Sequence, residues 1–135
     1  DSILFSSMLM PNSDRWTLMF QYWFGERYPV KLSMNYTRHG ANIYDDEGNL
    51  IFNAGADPLQ SIRWEKDSET VKFLSGDLQK TISVEISTGV EIARGFNLQL
   101  TYAYKKNIFQ ENNNSSNKNI SNNNYVRLVF RFNDF

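Results

Sequence analysis

The chain has 135 residues, with 14 basic and 15 acidic side chains and a net charge of −1 at neutral pH. This balance argues against a nucleic-acid-binding protein, which usually carries a basic face. Because the chain has no Cys, disulfides, thiolate metal sites and a Cys nucleophile are excluded. No apolar run approaches the roughly 18 residues of a membrane helix. The chain opens at Asp1 without a Met, so we expect a mature protein or a fragment.

Alternation of apolar and polar residues with a period of two predicts β-strands along much of the chain. Ser2–Met10 is a weak further candidate, because its alternation is poor. The predicted fold is an all-β antiparallel meander of five or six strands, each longer than the usual five or six residues. The five clear segments, each with one apolar and one polar face, are Arg15–Phe24, Pro29–Arg38, Leu78–Thr88, Phe96–Tyr104 and Tyr125–Phe132.

The connections between these strands alternate in length. The short ones are Gly25–Pro29 and Gly89–Gly95, and the long ones are His39–Asp77 and Lys106–Asn124. Within the first long connection, Ile43–Phe52 predicts a small hairpin closed by a turn that contains Gly48. The second contains nine Asn residues and is expected to be a flexible loop, since such a tract buries too little apolar surface to order itself. The whole chain, 1–135, is expected to be a single unit.

Two environments produce this alternation: a soluble sandwich or barrel, and the outer-membrane β-barrel, whose apolar face meets lipid. The strands match the roughly 9–11 residues that cross a bilayer, and short and long connections alternate as periplasmic turns and external loops do. With the short turns in the periplasm, the C-terminus falls there too. We therefore predict the C-terminal part of a transmembrane barrel in a bacterial outer membrane, with His39–Asp77 and Lys106–Asn124 outside the cell.

The aromatic residues support this choice, because on that orientation they sort into two bands. Positions between the bands are mostly aliphatic, with Phe20 as the exception. Aromatic rings favour the headgroup level, and a soluble domain gives no reason for the banding. The periplasmic girdle comprises Tyr22, Trp23, Phe24, Tyr28, Phe96, Phe130 and Phe132, and the external girdle comprises Trp16, Tyr36, Tyr102, Tyr104 and Tyr125.

The strand count limits what this chain can form in a membrane. A closed barrel needs at least about eight strands, and open edges in lipid leave backbone groups unsatisfied. The expected partners are therefore the lipid bilayer and additional barrel strands from the rest of the chain or from other chains. The polar face carries charges of both signs, which is compatible with a closed salt-bridge network and equally with a wet pore.

Two pairs of segments resemble the C-terminal region of Wzi-like capsule-assembly proteins of the Bacteroidetes type. One pair is Pro11-Asn12-Ser13-Asp14-Arg15 with Tyr36-Thr37-Arg38-His39-Gly40-Ala41-Asn42, and the other is Phe73-Leu74-Ser75-Gly76-Asp77-Leu78 with Glu91-Ile92-Ala93-Arg94-Gly95-Phe96-Asn97-Leu98. The resemblance covers Pro11 to Tyr104. It implies a large outer-membrane barrel that retains or helps assemble surface polysaccharide without catalysis. The final strand also resembles a barrel assembly signal, although Phe135 is out of phase with the apolar face.

Few residues suggest chemistry. His39 is the only histidine and is interpreted as a rim residue beside a Gly turn. The acidic run Asp45–Asn49 lacks EF-hand spacing and is interpreted as a turn. Residues 45–77 carry a net charge of −5. Phe52 and Trp64 within this stretch, and Tyr44 directly before it, are candidate sugar-stacking residues. We predict no catalytic residue, no metal site and no cofactor.

Three functions stay open from the sequence. The first is a non-enzymatic barrel that attaches or assembles capsular polysaccharide. The second is a channel, or a component of an outer-membrane transport or secretion complex. The third is a soluble β-barrel that binds a ligand. Only the family resemblance ranks the first above the second.

Overall fold

The computed structural model describes residues 9–25, 28–93, 95–111 and 118–132. Within these residues there are seven strands: β1 (Ser13–Phe24), β2 (Tyr28–Ala41), β3 (Ile43–Tyr44), β4 (Leu50–Phe52), β5 (Asp77–Ala93), β6 (Phe96–Gln110) and β7 (Lys118–Phe132). One sheet has the order β1-β2-β5-β6-β7 and is a mostly antiparallel meander, and β3 pairs with β4 alone. The predicted all-β meander of five long strands is confirmed. Of the weak candidate strand Ser2–Met10, residues 1–8 lie outside the described residues.

The long strands extend beyond their predicted ends. β6 continues to Gln110 and β7 begins at Lys118, so the connection predicted over Lys106–Asn124 is much shorter. Likewise β5 continues to Ala93, through most of the turn predicted at Gly89–Gly95. The β7 start is mostly polar, and Ile108 and Phe109 are adjacent in β6, so these ends give no period-two signal. Along β5, by contrast, Val90 and Ile92 continue the alternation, and the predicted turn ended this strand too early.

The chain divides into two compact units, where the sequence predicts one. The first unit holds residues 1–15, 37–80 and 107–120, and the second holds residues 16–36, 81–106 and 121–135. The second unit contains all the predicted girdle residues. The first unit contains the hairpin and the candidate sugar-stacking residues. Most residues of the predicted strands thus belong to the second unit, whereas the whole predicted connection His39–Asp77 belongs to the first.

In the first unit, one asparagine joins three parts of the chain. Asn12 has a left-handed φ of 55°, and its Nδ2 donates to the carbonyls of Gly40 (2.7 Å) and Ser75 (3.2 Å). Its Oδ1 accepts the N–H of Leu74 at 2.7 Å, and its backbone carbonyl accepts the N–H of Gly40 at 3.0 Å. We call Asn12, Gly40, Leu74 and Ser75 the Asn12 junction. Its hydrogen bonds hold Leu74 and Ser75, which precede β5, next to Gly40 of β2.

Close backbone contacts surround this junction. A Cβ on Gly40 would collide with the Ser75 carbonyl oxygen and the Leu74 carbonyl carbon, and a Cβ on Gly76 would collide with the Ala41 carbonyl oxygen. Small side chains make this approach possible. The buried apolar residues of the unit are Ala54, Ala56, Leu74 and Leu78. The buried Asn42 Oδ1 accepts the N–H groups of Ala54 (2.8 Å) and Ala56 (3.4 Å).

Ala substitutions at two glycines, Gly76 and Gly48, distinguish the cost of backbone strain from the cost of steric crowding. Gly76 and Gly48 have nearly equal φ values of 85° and 84°, but only Gly76 has neighbours where a Cβ would lie. Both Ala substitutions meet the left-handed penalty of about 1–2 kcal/mol, and Gly76→Ala adds a backbone collision. We expect Gly76→Ala to lower the unfolding free energy of the full-length protein by about 1–3 kcal/mol more than Gly48→Ala. Denaturant unfolding measures the difference, and equal losses would contradict the packing described here.

Candidate functional site

On β5 and β6 of the second unit, large apolar side chains are exposed next to small or polar side chains that are buried. Along β6, Leu100 and Tyr102 are 45% and 41% exposed, whereas the intervening Thr101 is 0% and Ala103 is 7% exposed. β5 has the same order, with Ile86 exposed and Ser87 buried. Among the described residues of this unit, Ala103 is the one buried apolar residue. This burial pattern is the reverse of that in a water-soluble sheet, whose large apolar residues lie inside.

Most predicted girdle residues lie on this exposed surface. The exposed members are Trp16, Tyr22, Trp23, Phe24, Tyr28, Tyr102, Tyr125 and Phe130. Tyr36, Phe96 and Tyr104 are half-buried, and the side chain of Phe132 lies outside the described residues. The structure brings some of them together in pairs. The ring centroids of Tyr22 and Phe24 lie 4.8 Å apart in an edge-to-face arrangement, and the stacked rings of Phe96 and Phe130 have centroids 6.1 Å apart.

Polar side chains of β1 and β2 pair across the two strands. Ser13 Oγ lies 2.9 Å from His39 Nδ1, Arg15 Nε donates to Thr37 Oγ1 at 3.3 Å, and Thr17 Oγ1 donates to Asn35 Oδ1 at 2.8 Å. Each step of two residues along β1 matches a step of two back along β2, as expected for antiparallel strands. The alternation in the sequence therefore predicts a polar face whose members hydrogen-bond to one another.

A cavity of about 500 Å³ lies in the second unit. All five strands of the sheet contribute to it, including the outermost strands β1 and β7, so the face that bears it is concave. The lining side chains belong mainly to the polar set of the alternation. The lining residues are Trp23, Pro29, Lys31, Ser87, Thr88, Gly89, Val90, Glu91, Asn97, Leu98, Gln99 and Arg131. Trp23, one of the predicted girdle residues, also lines this cavity, and in β1 it alternates with Tyr22 and Phe24.

In the first unit, the hairpin of β3 and β4 is confirmed. Ile43 pairs with Phe52 and Tyr44 with Leu50, with a bulge that interrupts the register. The connecting turn is built on Asp45, whose Oδ1 accepts the N–H of Asn49 at 2.7 Å and of Glu47 at 3.1 Å. The side-chain amide of Asn49 donates to Asp45 Oδ2 at 3.0 Å, and these hydrogen bonds lower the pKa of Asp45. This acidic run forms a turn, as predicted.

A second acidic residue, Asp67, binds Arg63 in the segment that follows the hairpin, and we call this pair the Arg63–Asp67 brace. Asp67 Oδ1 accepts from Arg63 Nε at 3.0 Å and Nη2 at 2.6 Å, and Asp67 Oδ2 accepts the N–H of Arg63 at 2.9 Å and Nδ2 of Asn53 at 3.0 Å. Arg63 Nη1 donates to the Leu50 carbonyl. The Asp67 side chain is nearly inaccessible to solvent. The hydrogen bonds from Arg63, then from Asn53, hold the pKa of Asp67 far below its ordinary value.

The three candidate sugar-stacking residues lie in this braced unit. Trp64 is 83% exposed, directly beside Arg63, and Tyr44 is 48% exposed on β3. Phe52 is half-buried on β4. The structure therefore presents Trp64 and Tyr44 to a ligand more fully than Phe52. The hydrogen bonds between Arg63 and Asp67 fix the segment next to Trp64, a contact that the sequence analysis did not predict.

His39 does not complete a catalytic arrangement among the described residues. Its Nδ1 contacts Ser13 Oγ, which also donates to the Pro11 carbonyl at 3.2 Å. A serine nucleophile needs a base that is oriented by a third group, and the neighbouring acid Asp14 pairs with Arg38 instead. The geometry agrees with a structural role for His39 at the end of β2.

Within residues 9–25, 28–93, 95–111 and 118–132, no group of three or more His, Asp or Glu side chains could hold a metal ion. The same described residues include no helix long and apolar enough to span a membrane. Comparison of the chain with protein-family models, curated proteins and solved structures finds no match.

The brace at Asp67 predicts a pH dependence. Because its folded pKa is lowered, Asp67 stabilises the segment fully above its ordinary pKa of 3.8, and this contribution is lost as pH falls below that value. We expect amide protection of residues 61–67, corrected for intrinsic exchange rates, to decrease between pH 6 and about pH 3. Hydrogen–deuterium exchange with mass spectrometry measures it. Asp67→Asn should show reduced protection with no further decrease in acid, and an unchanged pH dependence in this variant would contradict the assignment.

Proposed function

We propose that this chain is a segment of an integral outer-membrane β-barrel that takes part, without catalysis, in the attachment or assembly of surface polysaccharide. The proposal has two parts, which different observations support. The exposure of apolar side chains in the second unit supports the membrane part. The exposed aromatic rings of the first unit and the resemblance to Wzi-like proteins support the polysaccharide part.

The observation that carries the membrane part is the exposure of Leu100 and Tyr102 on either side of the buried Thr101. In water, such a surface would be a large exposed apolar patch, which marks an interaction site or an aggregation hazard. In a bilayer, the same surface faces hydrocarbon while the small polar residues face the interior. The exposed aromatic side chains at both ends of these strands agree with interfacial girdles.

A soluble ligand-binding β-barrel agrees less well with the burial pattern. Such a barrel is stabilised by large apolar side chains packed inside. In the described residues of the second unit, the interior-facing members of β6 are Thr101 and Ala103 instead. Burying these small side chains supplies much less hydrophobic free energy than burying Leu or Phe would.

The first unit supports a saccharide ligand. Sugars bind to exposed aromatic rings flanked by carboxylates and amides, because ring faces pack on C–H groups while oxygens accept from hydroxyls. Trp64 and Tyr44 provide exposed rings, and the Arg63–Asp67 brace holds Trp64 in a defined segment. Preorganisation of this kind reduces the entropy lost on binding.

The concave polar cavity of the second unit favours a second candidate, a channel or a component of a transport complex. A lumen lined by polar and charged side chains admits small solutes, and the cavity contains Lys31, Glu91 and Arg131. The two candidates differ in which unit contacts the transported or retained molecule.

Substitution of Leu100 tests the membrane part. Leu100 is midway between the girdle residues Phe96 and Tyr104, so in lipid an Arg there should cost about 2–4 kcal/mol of unfolding free energy. In water, Arg at a position that is already 45% exposed should change stability by only about 0.5 kcal/mol. Unfolding of the full-length protein in phospholipid vesicles measures the cost. The matched control is Ile51→Arg, an exposed position in the hairpin, and equal effects of the two substitutions would contradict the membrane placement.

Deletion of the gene tests the polysaccharide part. We expect polymer synthesis to continue while polymer is lost from the cell surface into the medium, as measured by assay of both fractions. Complementation with Trp64→Ala should restore less retention than complementation with Ile62→Ala, a neighbouring exposed aliphatic residue. Normal surface polymer in the deletion strain, with loss of solute uptake or protein secretion, would replace this function by the second candidate.

A further inference from the structure

The cavity of the second unit holds two cations without an acidic partner in the described part of the chain. Lys31 extends from β2 and Arg131 from β7, with β5 and β6 between these strands in the sheet. Both side chains are exposed. The third charged group, Glu91, accepts the N–H of Gly95 through Oε1 at 3.0 Å, so one carboxylate oxygen is already engaged in closing the turn between β5 and β6. Among the described lining residues, the net charge is therefore +1.

The remaining lining is suited to hydroxyl groups. Asn97 and Gln99 are half-buried on β6 and present amides that both donate and accept, and Ser87 is a buried hydroxyl on β5. The indole of Trp23 forms part of the wall from β1. An aromatic wall, amides and cations together fit a ring that carries both hydroxyls and a negative charge.

We propose that this cavity is a binding site for an acidic sugar, in which the positive charge of Lys31 and Arg131 attracts the carboxylate, the amides of Asn97 and Gln99 bind hydroxyls, and Trp23 packs against the ring. Arg recognises carboxylates through paired, charge-assisted hydrogen bonds, and Lys adds a mobile point charge. The volume of about 500 Å³ lies within the range of about 300–1,000 Å³ that is usual for small-molecule sites. It is sufficient for one or two sugar rings.

This site is distinct from the external aromatic residues, because its lining belongs to the second unit and Trp64 belongs to the first. Its assignment to a sugar rests on the proposed function, and it adds the class of polymer: one that contains uronic acids. The two proposals fail separately. Loss of polymer from cells tests the first, whereas binding of a monosaccharide to the purified full-length protein in detergent micelles tests the second.

The experiment titrates the protein with glucuronate and, in parallel, with glucose, which has the same ring but no carboxylate. Isothermal titration at low ionic strength should give an affinity for glucuronate at least about tenfold higher, and added salt should reduce this difference. Arg131→Gln and Lys31→Gln should each weaken glucuronate binding by about five- to tenfold, because each removes a charge-assisted contact. The matched control is Arg127→Gln on β7, which also removes an exposed cation but lies outside the cavity lining, and it should bind like the wild type.

Tryptophan fluorescence supplies a second readout that locates the ligand. Glucuronate should change the emission of the wild type and of Trp64→Phe, but not that of Trp23→Phe. Equal affinities for glucuronate and glucose, acetate binding as tight as glucuronate binding, or equal losses in Arg127→Gln and Arg131→Gln would each overturn the proposal. So would the absence of any binding at millimolar glucuronate.

Discussion

The Asn12 junction is the constraint on which the rest of the fold depends. The sheet requires β5 to pair with β2 although 35 residues, 42–76, separate these strands in the chain. One side chain satisfies three backbone groups of the strand end at Gly40 and the turn at Leu74 and Ser75. Because Gly40 and Gly76 have no Cβ, the returning backbone can approach β2 closely enough to begin β5 at Asp77.

Sequence patterns predicted the strands better than they predicted the contacts that hold them. Alternation located all five long strands, because a period of two reports one-sided burial directly. It missed the ends of β6 and β7 at Gln110 and Lys118, because most residues there are polar and the apolar Ile108, Phe109 and Ile120 do not alternate. It also left Asn12 unrecognised, since an asparagine whose three partners are 28 to 63 residues away leaves no local signal.

The two candidate sites, the exposed rings of the first unit and the cavity of the second, also differ in how far the sequence could predict them. Exposed rings at Tyr44 and Trp64 follow from the placement of aromatic residues in an acidic connection, so sequence alone could propose them. The cavity could not be derived from sequence, because it needs Trp23, Lys31 and Arg131 to meet from β1, β2 and β7 on one concave face. Alternation places each of them on the polar side of its own strand, but curvature of the sheet determines whether they share a site.

The edge strands of the sheet, β1 and β7, bear on whether the sheet needs further strands. β1 and β7 each have a neighbour on one side in the described sheet, so about half of their backbone N–H and C=O groups face outward from it. Soluble proteins protect such edges with Lys, Pro or short strands, yet β1 spans 12 residues without Lys or Pro and exposes Trp16, Leu18 and Phe20. In hydrocarbon, each unpaired group costs several kcal/mol. Under the proposed membrane placement, both edges therefore pair with further strands, and those strands extend the concave face that bears Lys31 and Arg131.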